Sequence, residues 1–257
     1  KSCLDLYQEI LAEGLKPDKY TYNAVIGSCA QGGLYEQAVR LMRDMQNMKL
    51  EPDEMTYNAV IGSFAKSGHW ESALRYLNEM RTRGLRPDSL SFNSAMAACA
   101  SSGELAKAKN LFKDMKISGI KPDVTSFNAL LSAYCAAEQW ENVIDTAESS
   151  LAITPDITTA NCIMIAHAML RQWEKAVTHY EAIKKKGLKP DVLTYNALIT
   201  ALANGGETER ALQLARSLES KGIKPSHETR AIRETLEKGE WFQEEANVDE
   251  EGNVHFR

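Results

Sequence analysis

Apolar residues recur at helical spacing along most of this chain, and the pattern restarts about every 35 residues. In one stretch Tyr57, Val60, Ile61 and Phe64 fall on a single helix face. Glycines then interrupt the pattern at Gly33, Gly68, Gly103 and Gly206. A second apolar stripe follows, with a small residue near its start at Ala38, Ala73, Ala108, Ala176 and Ala211, where two paired helices can approach closely. It stops at Gly84, Gly119, Gly187 or Gly222, each followed by Leu or Ile, the expected end of a helix. Each period therefore predicts two helices. Neither can bury its stripe alone, so neighbouring periods must stack into one continuous core.

The repeat length is set by the prolines. They stand at 17, 52, 87, 122, 155, 190 and 225, with spacings of 35, 35, 35, 33, 35 and 35. Asp follows every one except the last, where Ser226 stands. An aromatic follows four residues later at Tyr22, Tyr57, Phe92, Phe127 and Tyr195, with Ala160 the exception. Asn comes next in all six periods: Asn23, Asn58, Asn93, Asn128, Asn161 and Asn196. Counting from the residue after Pro-Asp, the repeats are 19–53, 54–88, 89–123, 124–156, 157–191 and 192–226. The fourth is two residues short, a deficit expected in its second helix or the following loop. Residues 1–18 match a second helix alone, with Cys3, Tyr7 and Ile10 at core places, so the native polypeptide is expected to extend upstream of Lys1. Residues 227–238 start a further first helix without the aromatic-Asn pair and read as a degenerate cap. Residues 239–257 show no repeat pattern and are expected to be mobile or bound elsewhere. The architecture expected is all-α: twelve helices in six pairs, one helix before and at least one after, with no sheet.

Charge refines the picture only after it is divided. The 30 basic and 35 acidic residues leave −5, and residues 239–257 alone, with six acids and one arginine, also carry −5. The remaining 238 residues balance at 29 against 29, so nucleic-acid recognition, if present, rests on local placement and not on bulk charge. No apolar run is long enough to span a membrane. The five cysteines, Cys3, Cys29, Cys99, Cys135 and Cys162, form no CxxC pair and read as small buried thiols of a reducing compartment. His69, His167, His179, His227 and His255 stand at no metal-ligand spacing from Cys or carboxylate, and no glycine-rich phosphate loop occurs. These features point to no enzyme, no cofactor, no metal and no small-molecule substrate. Trp70, Trp140 and Trp173 share one place near the second-helix start and read as core. Lys184–Lys186 and Lys107, Lys109, Lys113 and Lys116 lie on second helices and read as solvated surface.

The segments KPDVLTYNALITAL (189–202), EPDEMTYNAVIGSF (51–64) and KPDVTSFNALLSAY (121–134) resemble the pentatricopeptide repeat family, and the resemblance covers roughly residues 1–236. It implies an all-α, right-handed superhelical α-solenoid of helix-turn-helix repeats in which each repeat reads one RNA base. The family's readers are the fifth and last residues of a repeat. Carried over, they are Asn23/Asp53, Asn58/Asp88, Asn93/Asp123, Asn128/Asp156, Asn161/Asp191 and Asn196/Ser226. By the family's pairing rule Asn with Asp favours U and Asn with Ser favours C, which implies a U-rich single-stranded target, 5′-UUUUUC-3′, with the N-terminal repeat at the 5′ end. Bases in this family are sandwiched between second residues, here Tyr20, Met55, Leu90, Thr125, Thr158 and Leu193, of which two are short and polar. The thirteenth residue commonly faces phosphate as Lys, and here only Lys66 fits among Gln31, Lys66, Ser101, Ala136, Met169 and Asn204.

Two readings of each motif residue stand side by side. Each terminal Asp can cap a helix, worth about 1 kcal/mol, whether or not it reads a base. The Asn series can pack or read, although Asn is a mediocre residue inside a helix. Two functions stand in the same way. One is sequence-selective RNA binding in organellar RNA stabilisation, processing or translation, in a chloroplast or mitochondrion by resemblance. The other is a scaffold that holds protein subunits of a large organellar assembly, such as a mitochondrial ribosome or photosynthetic complex.

Overall fold

A computed structural model of the chain describes residues 3–149, 156–220, 222–239, 247–248 and 254–255. Its described residues form fourteen helices: α1 Cys3–Ala12, α2 Lys19–Gly32, α3 Tyr35–Asn47, α4 Glu54–Ala65, α5 Trp70–Thr82, α6 Ser89–Ser101, α7 Leu105–Ile117, α8 Val124–Ala136, α9 Trp140–Ser149, α10 Ile157–Met169, α11 Trp173–Lys185, α12 Val192–Asn204, α13 Thr208–Ser220 and α14 His227–Lys238. The fold is an all-α helical-repeat solenoid, with the even-numbered helices from α2 opening each repeat. The chain divides into two compact units, one of residues 1–142 and 146–154 and one of residues 143–145 and 155–257, so that the division falls within α9.

Within each unit the first helices form the inner stack. Helix α4 packs against α2, α3, α5 and α6, and α10 packs against α11 and α12. Among the described residues the backbones of the second helices do not pair with one another, and side chains bridge them, as where Lys107 of α7 lies over the Trp70 ring of α5. The first helices are accordingly apolar on several faces, and in α4 Tyr57, Val60, Ile61 and Phe64 are all buried. The second helices bury a single stripe, such as Ala38, Leu41, Met42 and Met45 of α3. The small residues expected at their starts, Ala38, Ala73, Ala108, Ala176 and Ala211, are fully buried, as close helix pairing requires.

Helix ends follow the expected chemistry with some departures. Asp18, Asp53, Asp88, Asp123, Asp156, Asp191 and Ser226 each cap a first helix through a side-chain bond to the backbone N–H three residues on. Two turns per repeat require left-handed backbone. Glycine supplies it at Gly33, Gly68, Gly103 and Gly206 and again at Gly84, Gly119, Gly187 and Gly222. Lys49, Glu138 and Arg171 hold the same conformation (φ 60°, 55° and 57°) at equivalent places, so the periodicity of the turn is stricter than the periodicity of glycine.

Other expectations need correction. Trp70, Trp140 and Trp173 are half-buried and not fully enclosed, although Trp173 packs against the core of the second unit as expected. Cys29, Cys99 and Cys162 are buried, whereas Cys3 and Cys135 are half-buried. In α1 Tyr7 is buried edge-on against Tyr22, with ring centres 5.8 Å apart, whereas Cys3 and Ile10 are only half-covered. A two-residue antiparallel ladder pairs Asn247–Val248 with Val254–His255, so the absence of strand holds for the repeats but not for the tail. The remainder of the tail, with Trp241 and Phe242, lies outside the described residues, as does the stretch after α9 where the two-residue deficit is expected. Among the described residues no helix is long and apolar enough to cross a membrane. The α7 and α11 lysines are exposed, and Lys107, Lys109 and Lys184 lie over the rings of Trp70, Tyr134 and Tyr180.

Lys49 and Gly84 occupy the same turn in successive repeats, and a Cβ at Gly84 would meet nothing within 4 Å. Any cost there is conformational. Lys49→Gly is expected to stabilise the protein by about 0.5–1 kcal/mol and Gly84→Ala to destabilise it by about 1 kcal/mol. Urea unfolding of the two variants checks both signs.

Candidate functional site

Each first helix leaves one stripe outside the stack. It carries the second, sixth, ninth and thirteenth residues of the repeat, for example Met55, Ala59, Gly62 and Lys66 on α4 and Leu90, Ser94, Ala97 and Ser101 on α6. The large apolar residues at the second place stand well out of the surface: Tyr20 is 82% exposed, Met55 67%, Leu90 57% and Leu193 55%. Thr125 and Thr158 are also exposed but offer little apolar area. Behind the large residues the sixth and ninth places are small, as at Ala24 and Gly27, Ala59 and Gly62, and Ser94 and Ala97, and leave a flat floor that Ile165 and Met169 interrupt in the repeat 157–191. Sequence reasoning had passed over this floor, although its small residues recur with the period.

The Asn at the fifth place is buried and bonded on both sides. Asn23 Nδ2 donates to Asp53 Oδ1 at 3.2 Å, and Asn23 Oδ1 accepts the Thr56 hydroxyl at 2.6 Å. The same trio recurs as Asn58 with Asp88 and Ser91, Asn93 with Asp123 and Ser126, and Asn161 with Asp191 and Thr194. In the last repeat Asn196 Nδ2 donates to Ser226 at 2.9 Å and its Oδ1 accepts from Thr229. Each trio joins a first helix to the next, because the carboxylate and hydroxyl belong to the cap and first turn of the following helix. Asn128 lies half-buried on α8, and Asp156 caps α10 through the Thr159 N–H at 2.9 Å. The hydroxyl at the third place, Thr21, Thr56, Ser91, Ser126, Thr159, Thr194 and Thr229, was missed in the sequence. Its signal was an unbroken Ser/Thr series with the same period as the Asn.

An aspartate without a proton only accepts and an amide nitrogen only donates, so the carboxylate draws Nδ2 to its side while the hydroxyl, as donor, takes the oxygen. One of the two Nδ2 protons is used by the Asp, and the rest of the polar edge of the pair remains for a ligand. At the sixth site Glu228 Oε2 also lies 3.5 Å from Asn196 Nδ2. Glu228 occupies the second place of the cap segment, where the other repeats carry the residues expected to sandwich bases.

The stripe is poor in free positive charge. Lys66 is exposed, but its Nζ donates to the Gln31 carbonyl at 2.6 Å and thereby closes the end of α2. Ser101 and Asn204, at the same thirteenth place, bond the Ala65 and Ala168 carbonyls in the same manner. Lys19 neutralises Asp53 at 2.8 Å, whereas Asp88, Asp123 and Asp191 have no such cation among the described residues. Burial works against the charge on Asp53, but hydrogen bonds from Lys19, Thr56 and Asn23 outweigh it and hold the carboxyl at about 2. Asp123 is lowered in the same way without the lysine. Burial pushes the Cys99 thiol up to about 11, which suits packing and not reactivity. Among the described residues no three His, Cys, Asp or Glu side chains stand together as a metal site.

Family models match most of the chain. The PPR repeat family model matches residues 17–66, 52–101, 88–136 and 155–204, and a pentatricopeptide repeat domain model matches 180–229. No characterised protein matches the chain in overall sequence. Among solved structures, maize PPR10 superposes with a TM-score of 0.58 at 20% identity, covering 94% of this chain and 40% of that one. The chain thus spans well under half the length of this relative. Maize PPR10 in complex with an 18-nucleotide psaJ RNA element gives 0.55 at 20% identity, covering 92% and 42%. The PPR domain of Arabidopsis thaliana protein-only RNase P 1, in complex with tRNA, gives 0.56 at 17% identity, covering 72% and 98%.

The depressed pKa of Asp53 carries a signed consequence. Its folded value of about 2 lies below the ordinary 3.8. The stability it contributes is therefore complete above about pH 4 and is lost as the pH falls through about 2. In Asp53→Asn the urea midpoint is expected to be lower at neutral pH and to change less between about pH 4 and pH 2. A carboxyl-carbon NMR titration places the Asp53 transition directly.

Proposed function

This chain belongs to the pentatricopeptide repeat family, and on that premise we propose that the exposed stripe of its first helices binds single-stranded RNA, one base at each repeat. The observation that carries the reading is the polar trio beside an exposed apolar residue. Asn23, Asn58, Asn93 and Asn196 are held with the amide nitrogen toward the cap residue, next to Tyr20, Met55, Leu90 and Leu193, on which a base can stack. Two of the solved relatives are complexes with RNA, which supports the same class of ligand.

The trio also rationalises a choice among bases. Uracil presents an N3–H donor between two carbonyl acceptors. An Asp carboxylate can only accept, so Asp53, Asp88, Asp123, Asp156 and Asp191 suit the N3–H, while the remaining Asn N–H suits a carbonyl. Cytosine has an unprotonated N3 instead, which needs a donor, and the Ser226 hydroxyl can donate. The target so read is 5′-UUUUUC-3′, with the N-terminal repeat at the 5′ end. Affinity rests on stacking at Tyr20, Met55, Leu90 and Leu193, worth about 1–3 kcal/mol per base. Thr125 and Thr158 contribute less, and Glu228 weakens the platform at the sixth base. Lys66 keeps two further N–H donors for phosphate beyond the one given to Gln31. The biological setting we infer is organellar RNA stabilisation, processing or translation.

A second reading, a scaffold for protein subunits, is favoured by one observation: Asp88, Asp123 and Asp191 line the stripe without neutralising cations, and the thirteenth-place side chains are largely spent on helix ends. Fluorescence anisotropy with labelled strands at two salt concentrations separates the two. RNA reading predicts tighter binding to UUUUUC than to oligo-A, with a shallow salt slope because few phosphates are neutralised. It also predicts that Asn58→Thr, with Asp88 kept, moves the second base from U toward G, as the family rule implies. Equal binding to both strands, or none at low salt, would leave the scaffold reading in its place.

A further inference from the structure

The third-place hydroxyl is the member of each trio that the family resemblance did not bring with it, and its geometry gives it more than a capping role. In the first repeat no Asn precedes it, and Thr21 Oγ1 turns to its own cap, 2.7 Å from Asp18 Oδ1. Where an Asn does precede it, the shortest contact changes. Thr56 lies 2.6 Å from Asn23 Oδ1 and 3.0 Å from Asp53, Ser91 lies 2.5 Å from Asn58 and 2.9 Å from Asp88, and Ser126 lies 2.7 Å from Asn93 and 3.0 Å from Asp123. Thr194 repeats this in the second unit, at 2.7 Å from Asn161 and 2.9 Å from Asp191. A hydroxyl has one proton, and these distances send it to the amide oxygen. The oxygen in turn accepts the N–H of the cap residue, as from Asp53 at 3.2 Å, so its own position is fixed by the turn. Thr56, Ser91, Ser126, Thr194 and Thr229 are all buried, so no water substitutes for them.

We propose that the third-place hydroxyl of each repeat is a specificity-setting positioning residue for the base site of the repeat before it: Thr56 for Asn23, Ser91 for Asn58, Ser126 for Asn93, Thr194 for Asn161 and Thr229 for Asn196. This rests on the RNA reading above. By occupying the inward side of the amide oxygen, the hydroxyl holds the Asn plane so that the spare N–H faces the base while the Asp keeps the other. Without it the buried oxygen is left with no donor, and the amide rotates toward water, where oxygen and nitrogen are presented to the base indifferently. The sites of Asn23, Asn58, Asn93, Asn161 and Asn196 are therefore each shared between two successive first helices, and α14, degenerate as a repeat, completes the sixth site through Ser226 and Thr229.

The test compares Thr56→Val with Thr21→Val in the full chain. Both remove a hydroxyl from the cap of a first helix, but only Thr56 touches a base-facing Asn. Binding is measured to strands that carry UUUUUC within flanking nucleotides and to the same strands with the first U replaced by C. Thr56→Val is expected to lower the U-over-C ratio at that base by roughly fivefold, the factor carried by one ordinary hydrogen bond, and to leave the ratios at the other bases unchanged. Thr21→Val is expected to leave every ratio unchanged, and Thr56→Ser to restore the wild-type value. Thr194→Val, read at the fifth base, repeats the test if Thr56→Val fails to fold. A variant that binds with the wild-type ratio, or one that loses affinity equally for both strands, overturns the proposal and leaves RNA reading intact. Wild-type protein with no base preference overturns both.

Discussion

A buried primary amide needs a donor and an acceptor, and the arrangement of these repeats is organised around supplying them. The partners of Asn23, Asn58, Asn93, Asn161 and Asn196 come from the next first helix, so each of these is satisfied only when its neighbour is stacked in one register. Hydrophobic burial drives the stacking but tolerates sliding, since one apolar stripe fits another at several offsets. The trio does not. A displacement of an ångström or two between successive first helices strands a buried oxygen, at about 1–3 kcal/mol for each group left unpaired. Fully satisfied polar networks of this kind select one arrangement among many compact ones. A second row of bonds, from Lys66, Ser101 and Asn204 to carbonyls of the preceding first helix, pins the opposite ends.

That constraint links stability to recognition. On the RNA reading proposed above, the part of each locking trio that a base would meet is the carboxylate and the spare Asn N–H, and both are already oriented before any ligand arrives. Preorganisation of this kind removes part of the entropy cost of binding. On the same reading, a stripe with a row of carboxylates and few cations binds RNA through stacking and edge recognition and not through phosphate neutralisation.

Much of the architecture was legible because its signals are periodic and local. Seven prolines, their Asp partners and the alternation of two apolar stripes placed every helix of the repeats close to where it lies. The Asn and Asp series were legible as a pair, yet what joins them was not, because the third-place residue varies between Ser and Thr and both are common in the first turn of any helix. The left-handed turns at Lys49, Glu138 and Arg171 were hidden for the opposite reason. Their conformation is imposed by the stack against local preference, and no residue type announces it. Cys3 and Ile10 are less covered than helical spacing implies because, among the described residues, the one helix that α1 packs on is α2, a fact of tertiary contact that spacing does not carry.

The most direct measurement is of the two side-chain amide protons of Asn58 and Asn93, resolved by NMR in the free protein and with a UUUUUC strand. In the free protein one proton of each amide, bonded to Asp88 or Asp123, should exchange slowly with solvent, and its geminal partner should exchange fast. On adding the strand, the fast proton should shift and slow while the other stays as it was. Equal, fast exchange of both protons in the free protein would contradict the locked trio, and a fast proton unmoved by a strand that binds would contradict its part in reading the base.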